Sequence, residues 1–163
     1  MIRLCGEQDQ EAMYVIINDA ARAYQGVIPE DRYHEPYMSR EELGQEIANG
    51  VIFWGIEQDG ELMGVMGIQD KGEVALIRHA YVTTTRRQGG IGSSLVKHIT
   101  SLAKKPILIG TWEAASWAIS FYLKNGFVLT PEPEKRTLLQ KYWDIPERQV
   151  ETSVVLASAD FAL

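Results

Sequence analysis

The stretch from Glu73 to Leu102 constrains this chain more than any other. A β-rich run, Glu73–Val82, leads through Thr83–Gln88 into the glycine cluster Gly89-Gly90-Ile91-Gly92, after which Ile91, Leu95, Ile99 and Leu102 recur at spacings of four, four and three. That spacing puts the four side chains on one face of a helix. A strand that feeds a glycine turn and then a helix makes an anion site. The first-turn N–H groups lack intrahelical partners, the helix dipole adds positive potential, and a missing Cβ lets a phosphate come close. Arg86 and Arg87 stand just before the turn, and no acidic residue occurs between Glu73 and Glu113.

The flanking segments build a fold around this unit. Met13, Ile16, Ile17, Ala20 and Tyr24 recur at helical spacing after Asp9, an N-cap residue type, and Gly26 and Pro29 end that helix. Residues 27–38 have no period and read as a loop. Ser39 and Glu42 form a capping box for a second helix, closed by Gly50. Val51–Glu57 and Glu61–Gln69 are strands joined through Asp59-Gly60, a hairpin signal, and Glu73–Val82 follows as a third antiparallel strand. Ile107–Trp112 reads as a buried strand, Ala115–Lys124 as a helix with Asn125-Gly126 at its C-cap, and Phe127–Leu129 and Val150–Ala157 as late strands. Residues 130–149, charged, aromatic and proline-rich, give no assignable pattern. With a short first strand, the expectation is an α+β domain over residues 1–163, with a mixed sheet of about seven strands, antiparallel in its N-terminal part, and about four helices.

Composition removes several function classes. The single cysteine, Cys5, excludes an internal disulfide, and with only His34, His79 and His98 no ligand set has the spacing of a metal site. No apolar run approaches a membrane span and no leader pattern opens the chain, so it reads as soluble and cytoplasmic. The formal charge of -6 divides into -10 over residues 1–73 and +4 over residues 74–163. The second part suits an anionic ligand, whereas the acidic total and the lack of a basic stripe oppose nucleic acid. No glycine precedes Lys-Ser or Lys-Thr as a P-loop requires. An NAD-binding domain has Gly90-x-Gly92 and Glu113 about 20 residues on in its favour. Against it, Leu95 holds the third small position and too little chain remains for a second βαβ half.

Two motifs resemble the GCN5-related N-acetyltransferases. Arg87-Gln88-Gly89-Gly90-Ile91-Gly92 is similar to that family's Arg/Gln-x-x-Gly-x-Gly/Ala signature, and it follows a strand ending in Ala80-Tyr81-Val82. Ala118-Ile119-Ser120-Phe121-Tyr122-Leu123-Lys124-Asn125-Gly126-Phe127 resembles the family's Ala-x-x-Phe-Tyr-x-x-x-Gly-Phe segment. The resemblance runs from Met1 to about Leu129. It implies a sheet splayed at the cofactor site and acetyl-coenzyme A as cosubstrate, without a metal. The diphosphate would rest on N–H groups of Gln88, Gly89, Gly90, Ile91, Gly92 and Ser93 beside Arg87, and the pantetheine arm along the backbone of Ala80, Tyr81 and Val82.

The resemblance further implies an acetyl transfer to a primary amine by direct attack in a ternary complex, with Tyr122 protonating the departing thiolate. Loss of the amine proton needs a base. The glutamate that some relatives place on the strand before the glycine turn falls at Leu76 here, which leaves Glu73, His79 and Glu113 as alternatives. Ala115 stands where many relatives have an asparagine that touches the cofactor. The rings and carboxylate of His34, Glu35 and Tyr37, in the loop between the first two helices, offer an amine cation–π and ion-pair contacts. A binding module that senses acyl-coenzyme A without chemistry is the rival reading, and the leucine at position 76 is its support. The late strand Val150–Ala157 is the expected place for a homodimer to pair.

Overall fold

The computed structural model describes residues 1–83 and 90–161. The elements follow in the order β1 (Ile2–Leu4), α1 (Gln10–Ala21), α2 (Arg40–Ala48), β2 (Val51–Gln58), β3 (Glu61–Asp70), β4 (Ala75–Val82), α3 (Ile91–Leu102), β5 (Ile107–Trp112), α4 (Ser116–Lys124), β6 (Val128–Leu129), α5 (Glu132–Tyr142), α6 (Glu147–Glu151) and β7 (Ser153–Ala157). The strands form one sheet in the order β1-β2-β3-β4-β5-β7-β6. Every pair is antiparallel except β4 with β5, which α3 connects as a crossover. A single parallel pair is not the doubly wound sheet of a dinucleotide fold. The mixed sheet of seven strands expected from the sequence is therefore present, and it is not closed.

Local chemistry explains the N-terminal half. Asp59 and Gly60 have φ of 53° and 80°, the positive pair that a tight two-residue hairpin needs, and they set Gln58 opposite Glu61. Ser39 accepts the N–H of Glu42 at 3.1 Å and caps α2. Asp9 sits at the N-cap of α1 but does not cap it through its side chain. Its carboxylate instead takes the Gly6 N–H at 2.7 Å and both terminal nitrogens of Arg3 at 2.8 and 2.9 Å, tying β1 to the start of α1.

Alternation along the strands sends side chains to two faces. On one, Leu95, Val96 and Ile99 of α3 pack with Tyr122 and Phe127 against Met66, Ile77 and Ile109. On the other, Met13, Ile17 and Leu43 of α1 and α2 cover Phe53 and Val65, while Leu138, Leu139 and Val150 of α5 and α6 cover Leu76, Leu108 and Val155. A fully buried leucine or isoleucine in either layer contributes about 1.5–3 kcal/mol.

Three expectations need correction. The described residues form six α-helices, because residues 130–149, which show no pattern in the sequence, supply α5 and most of α6. Val150 belongs to α6, and the last strand starts at Ser153. That strand is also no edge over its C-terminal part: β7 lies between β5 and β6, which pairs with it at Leu156 and Ala157. No helix among the described residues is long and apolar enough to cross a membrane.

Candidate functional site

The middle of the sheet comes apart by design of its backbone. β4 pairs with β5 over Ala75↔Ile107, Leu76↔Leu108 and Ile77↔Ile109, and beyond Ile77 the described residues show no further pairing of the two strands. β4 continues against β3 alone, and its register slips where Gly67 faces Arg78 and Val65 faces Tyr81. This bulge centres on His79, whose φ of 57° is left-handed. β5 meanwhile follows β7 to Trp112. Between the parting strands opens a cleft of about 770 Å³, lined by Arg78 to Val82 on β4 and by Ile109 to Trp112 on β5. Its volume suits a small organic ligand.

One end of the cleft is the start of α3. Gly90 has φ of 74° and occupies the N-cap position, and the first bond of the helix runs from the Ser94 N–H to the Gly90 carbonyl at 3.0 Å. The N–H groups of Ile91, Gly92 and Ser93 precede that bond and form the positive end of the helix dipole. Gly90, Gly92 and Ser93 line the cleft together with Ser120 and Lys124 of α4. Gly92 has a second use: a Cβ there would come within 3.0 Å of the Phe121 ring, so the glycine also brings α3 and α4 together. Arg87, Gln88 and Gly89 lie outside the described residues.

Tyr122 is 6% exposed and lines the cleft from α4, with edge contacts to Phe121 and Phe127 at ring separations of 5.1 and 6.0 Å. Burial, followed by the nearby Tyr24, raises its phenol well above the ordinary value. It is held neutral, as a proton donor must be. Phe121, its neighbour in sequence, turns instead to Gly92.

His79 lines the cleft on the opposite face, stacked on Phe53 at 6.2 Å. Its Nε2 is 3.3 Å from Glu46 Oε1, an ion-pair distance without the alignment of a full hydrogen bond. Arg78 reaches the same carboxylate at 3.5 Å and Gln69 Oε1 at 3.1 Å. The bulge is what lets consecutive residues 78 and 79 turn to one side. His79 first, and Arg78 after it, hold the Glu46 carboxyl below its ordinary value against the opposing effect of burial. Glu46 was not visible as a site residue, because it lies on α2 and meets His79 only in the fold.

The other two carboxylates do not reach the cleft. Glu73 lies in the turn before β4, at the opposite end of the strand from the bulge, where it pairs with Lys141 at 3.1 Å and accepts from Tyr142 Oη at 3.0 Å. Glu113 is exposed just after β5, and its N–H bonds to the Thr152 carbonyl at 2.8 Å. Neither lines the cleft. Leu76 is fully buried, in a position where a carboxylate would have no partner. Cys5 is outside the cleft as well, and burial pushes its thiol up to about 11.

From the segment after α1, Tyr24 and Tyr37 reach the cleft; His34 and Glu35, expected there as well, do not line it and are exposed. Tyr37 accepts the Trp112 Nε1–H at 3.3 Å and packs against Tyr24 at 5.3 Å. Burial raises the phenol of Tyr37, and does so more strongly for Tyr81, which shares a hydrogen bond with Tyr24. Trp143 and Ile145, between α5 and α6, form the facing wall, and the Trp143 ring lies against Gly110 of β5, where a Cβ would meet it at 3.1 Å. From the sequence Trp143 reads as core more readily than as a wall, and Ile145 escapes notice because the segment carrying it has no legible period. No group of three or more His, Cys, Asp or Glu among the described residues could hold a metal ion.

Comparison with known proteins agrees with this geometry. The model of the acetyltransferase (GNAT) domain family matches residues 49–129, the span from β2 to β6 that includes the glycine turn and α4. Over 97% of both chains, the fold superposes with a TM-score of 0.72 on the PaiA N-acetyltransferase of Thermoplasma acidophilum, solved in complex with coenzyme A, at 19% identity. A GNAT-family acetyltransferase from Staphylococcus aureus Mu50 matches with a TM-score of 0.70 at 17% identity, again over 97% of both chains. N-acetylglutamate synthase from Neisseria gonorrhoeae, complexed with coenzyme A and N-acetyl-glutamate, matches 97% of this chain and 34% of its own length at 21% identity, with a TM-score of 0.66. The family model, the order of the motifs and the parted sheet lead to one assignment: the chain belongs to the GCN5-related N-acetyltransferase family.

Proposed function

We propose that this protein moves the acetyl group of acetyl-coenzyme A to a primary amine by direct attack within a ternary complex. The observation that carries the reading is the bulge at His79, where β4 leaves β5 and opens a cleft that runs from the helix start at Gly90 to the aromatic wall at Tyr37. The N–H groups of Ile91, Gly92 and Ser93 would take the diphosphate, and the unpaired side of Ala80–Val82 the pantetheine arm. Arg87, Gln88 and Gly89 complete the cofactor set proposed from the family motif.

The proton steps fall to two side chains on opposite sides of the cleft. His79, with Nε2 turned to Glu46, would use its other ring nitrogen to take the proton of the attacking amine. As the N–C bond forms and the C–S bond breaks, Tyr122 gives its proton to the departing sulfur. Glu73 and Glu113 have no part in this scheme, since neither lines the cleft. No enzyme-linked intermediate is needed, in keeping with the position of Cys5.

Amine-dependent release of free thiol from acetyl-coenzyme A tests the reading. Release with at least one amine is the expected result. Binding of acetyl-coenzyme A with no release across a broad amine panel would instead mark a sensor of acyl-coenzyme A.

A further inference from the structure

The walls of the cleft carry rings and no carboxylate. Tyr24, Tyr37, Tyr81 and Trp112 line one side of its amine end, and Trp143 and Ile145 line the other. Not one Asp or Glu lines the cleft among the described residues, and Thr84–Gly89 contain none in the sequence. Three acids outside the walls are engaged elsewhere: Glu42, which acts on Tyr37 from an exposed position on α2, accepts from Ser39 Oγ at 3.3 Å. Glu46 faces His79 and Arg78. Glu35, whose side chain is 60% exposed, accepts from Tyr33 Oη at 2.8 Å and lies 4.0 Å from Arg22.

This charge pattern discriminates among amines. A second ammonium on the acceptor would meet ring faces but no carboxylate, and the cation–π attraction of a ring is smaller than the cost of burying a charge without a counter-charge. An acceptor carboxylate fares no better. Arg78 is offset by Glu46, and Lys124 lies on α4 with the start of α3, at the end proposed for the cofactor. What the walls do offer is ring surface. Tyr24 stands 5.3 Å from Tyr37 and 5.9 Å from Trp117 at tilted angles, and the Trp112 N–H fixes Tyr37 in place. Such rings accept a planar or apolar guest by edge and face contacts.

We infer that the acceptor is a primary amine carried on an aromatic or apolar body with no second charge, the class of 2-phenylethylamine and tryptamine. The inference rests on the acetyl transfer proposed above and adds its substrate class. Polyamines and amino acids are rejected by the same walls.

The test measures thiol release from acetyl-coenzyme A by the full chain with 2-phenylethylamine, tryptamine, spermidine and L-lysine, alongside the thermal shift produced by acetyl-coenzyme A alone. The aromatic amines should exceed spermidine and lysine in kcat/KM by roughly tenfold or more. Trp143→Ala and Tyr37→Ala should each raise KM for 2-phenylethylamine while the acetyl-coenzyme A shift stays. Gln149→Glu, which adds a carboxylate to the α6 wall, should move the preference toward spermidine without removing ring surface. Equal or faster turnover of spermidine or lysine overturns the substrate class and leaves acetyl transfer standing. An acetyl-coenzyme A shift with no turnover of any of the four overturns it as well. No shift with acetyl-coenzyme A overturns the acetyl-transfer reading, and this inference with it.

Discussion

His79 is held at a φ that costs an ordinary residue about 1–2 kcal/mol, and the chain keeps it where β4 must leave β5. Asparagine tolerates that conformation better than most residues but has no imidazole. His79→Asn should therefore fold and retain the stabilisation given by acetyl-coenzyme A, while turnover falls by about 100-fold or more, the scale of a lost general base. Glu46→Gln should lower kcat in the same direction but less, with KM for acetyl-coenzyme A unchanged, because in the proposed scheme Glu46 only positions the ring. Steady-state kinetics of the two variants separates these roles. Tyr122→Phe keeps the buried ring and its contacts with Phe121 and Phe127. It should reduce kcat by ~10-fold to ~100-fold at unchanged acetyl-coenzyme A affinity, and an unaltered kcat would remove Tyr122 from the acid role.

Among the elements, legibility followed the amount of local signal. The stripe Ile91, Leu95, Ile99 marks α3 from its first residue, and Asp59-Gly60 fixes both the hairpin and its register. α5 is hidden because the stripe Lys135, Leu138, Leu139, Tyr142, correctly spaced for a helix, opens on a lysine. Lys135 is only 3% exposed and extends its ammonium to Glu132 at 3.1 Å, so its stem lies in the layer where a leucine would be expected. The bulge at His79 has no local mark at all. It needs the partner strand to define it, and with it the meeting of His79 and Glu46. Gly92 was legible as part of a turn, but its packing role was not. Gly92→Ala puts a Cβ 3.0 Å from the Phe121 ring and should lower stability by about 1–3 kcal/mol in denaturant unfolding. The Arg3–Asp9 link joins β1 to α1 and depends on pH. Arg3, aided by the Gly6 N–H, holds Asp9 below the ordinary carboxylate value against desolvation. Its stabilisation is then present above the unfolded value and is lost as pH falls below about 4 toward the folded one. Asp9→Asn should flatten the acid limb of a plot of midpoint against pH, and an unchanged limb would contradict this.

On the scale of the whole molecule, charge and topology divide the work. The family motifs lie on β4, α3 and α4, in the half of the chain with net charge +4, and they were readable because backbone binding of an anion demands glycine and positive surroundings. The end proposed for the amine is assembled from α1, its following loop, β5 and the segment between α5 and α6, which are remote in sequence and share no pattern. The thermal midpoint with acetyl-coenzyme A, free coenzyme A and NAD tests the central claim most directly, since a ligand that binds only the folded chain raises it by mass action. A rise with acetyl-coenzyme A, alone or together with coenzyme A, and none with NAD is the result predicted by the open cleft and the helix start at Gly90. No rise, or a rise with NAD only, would contradict it.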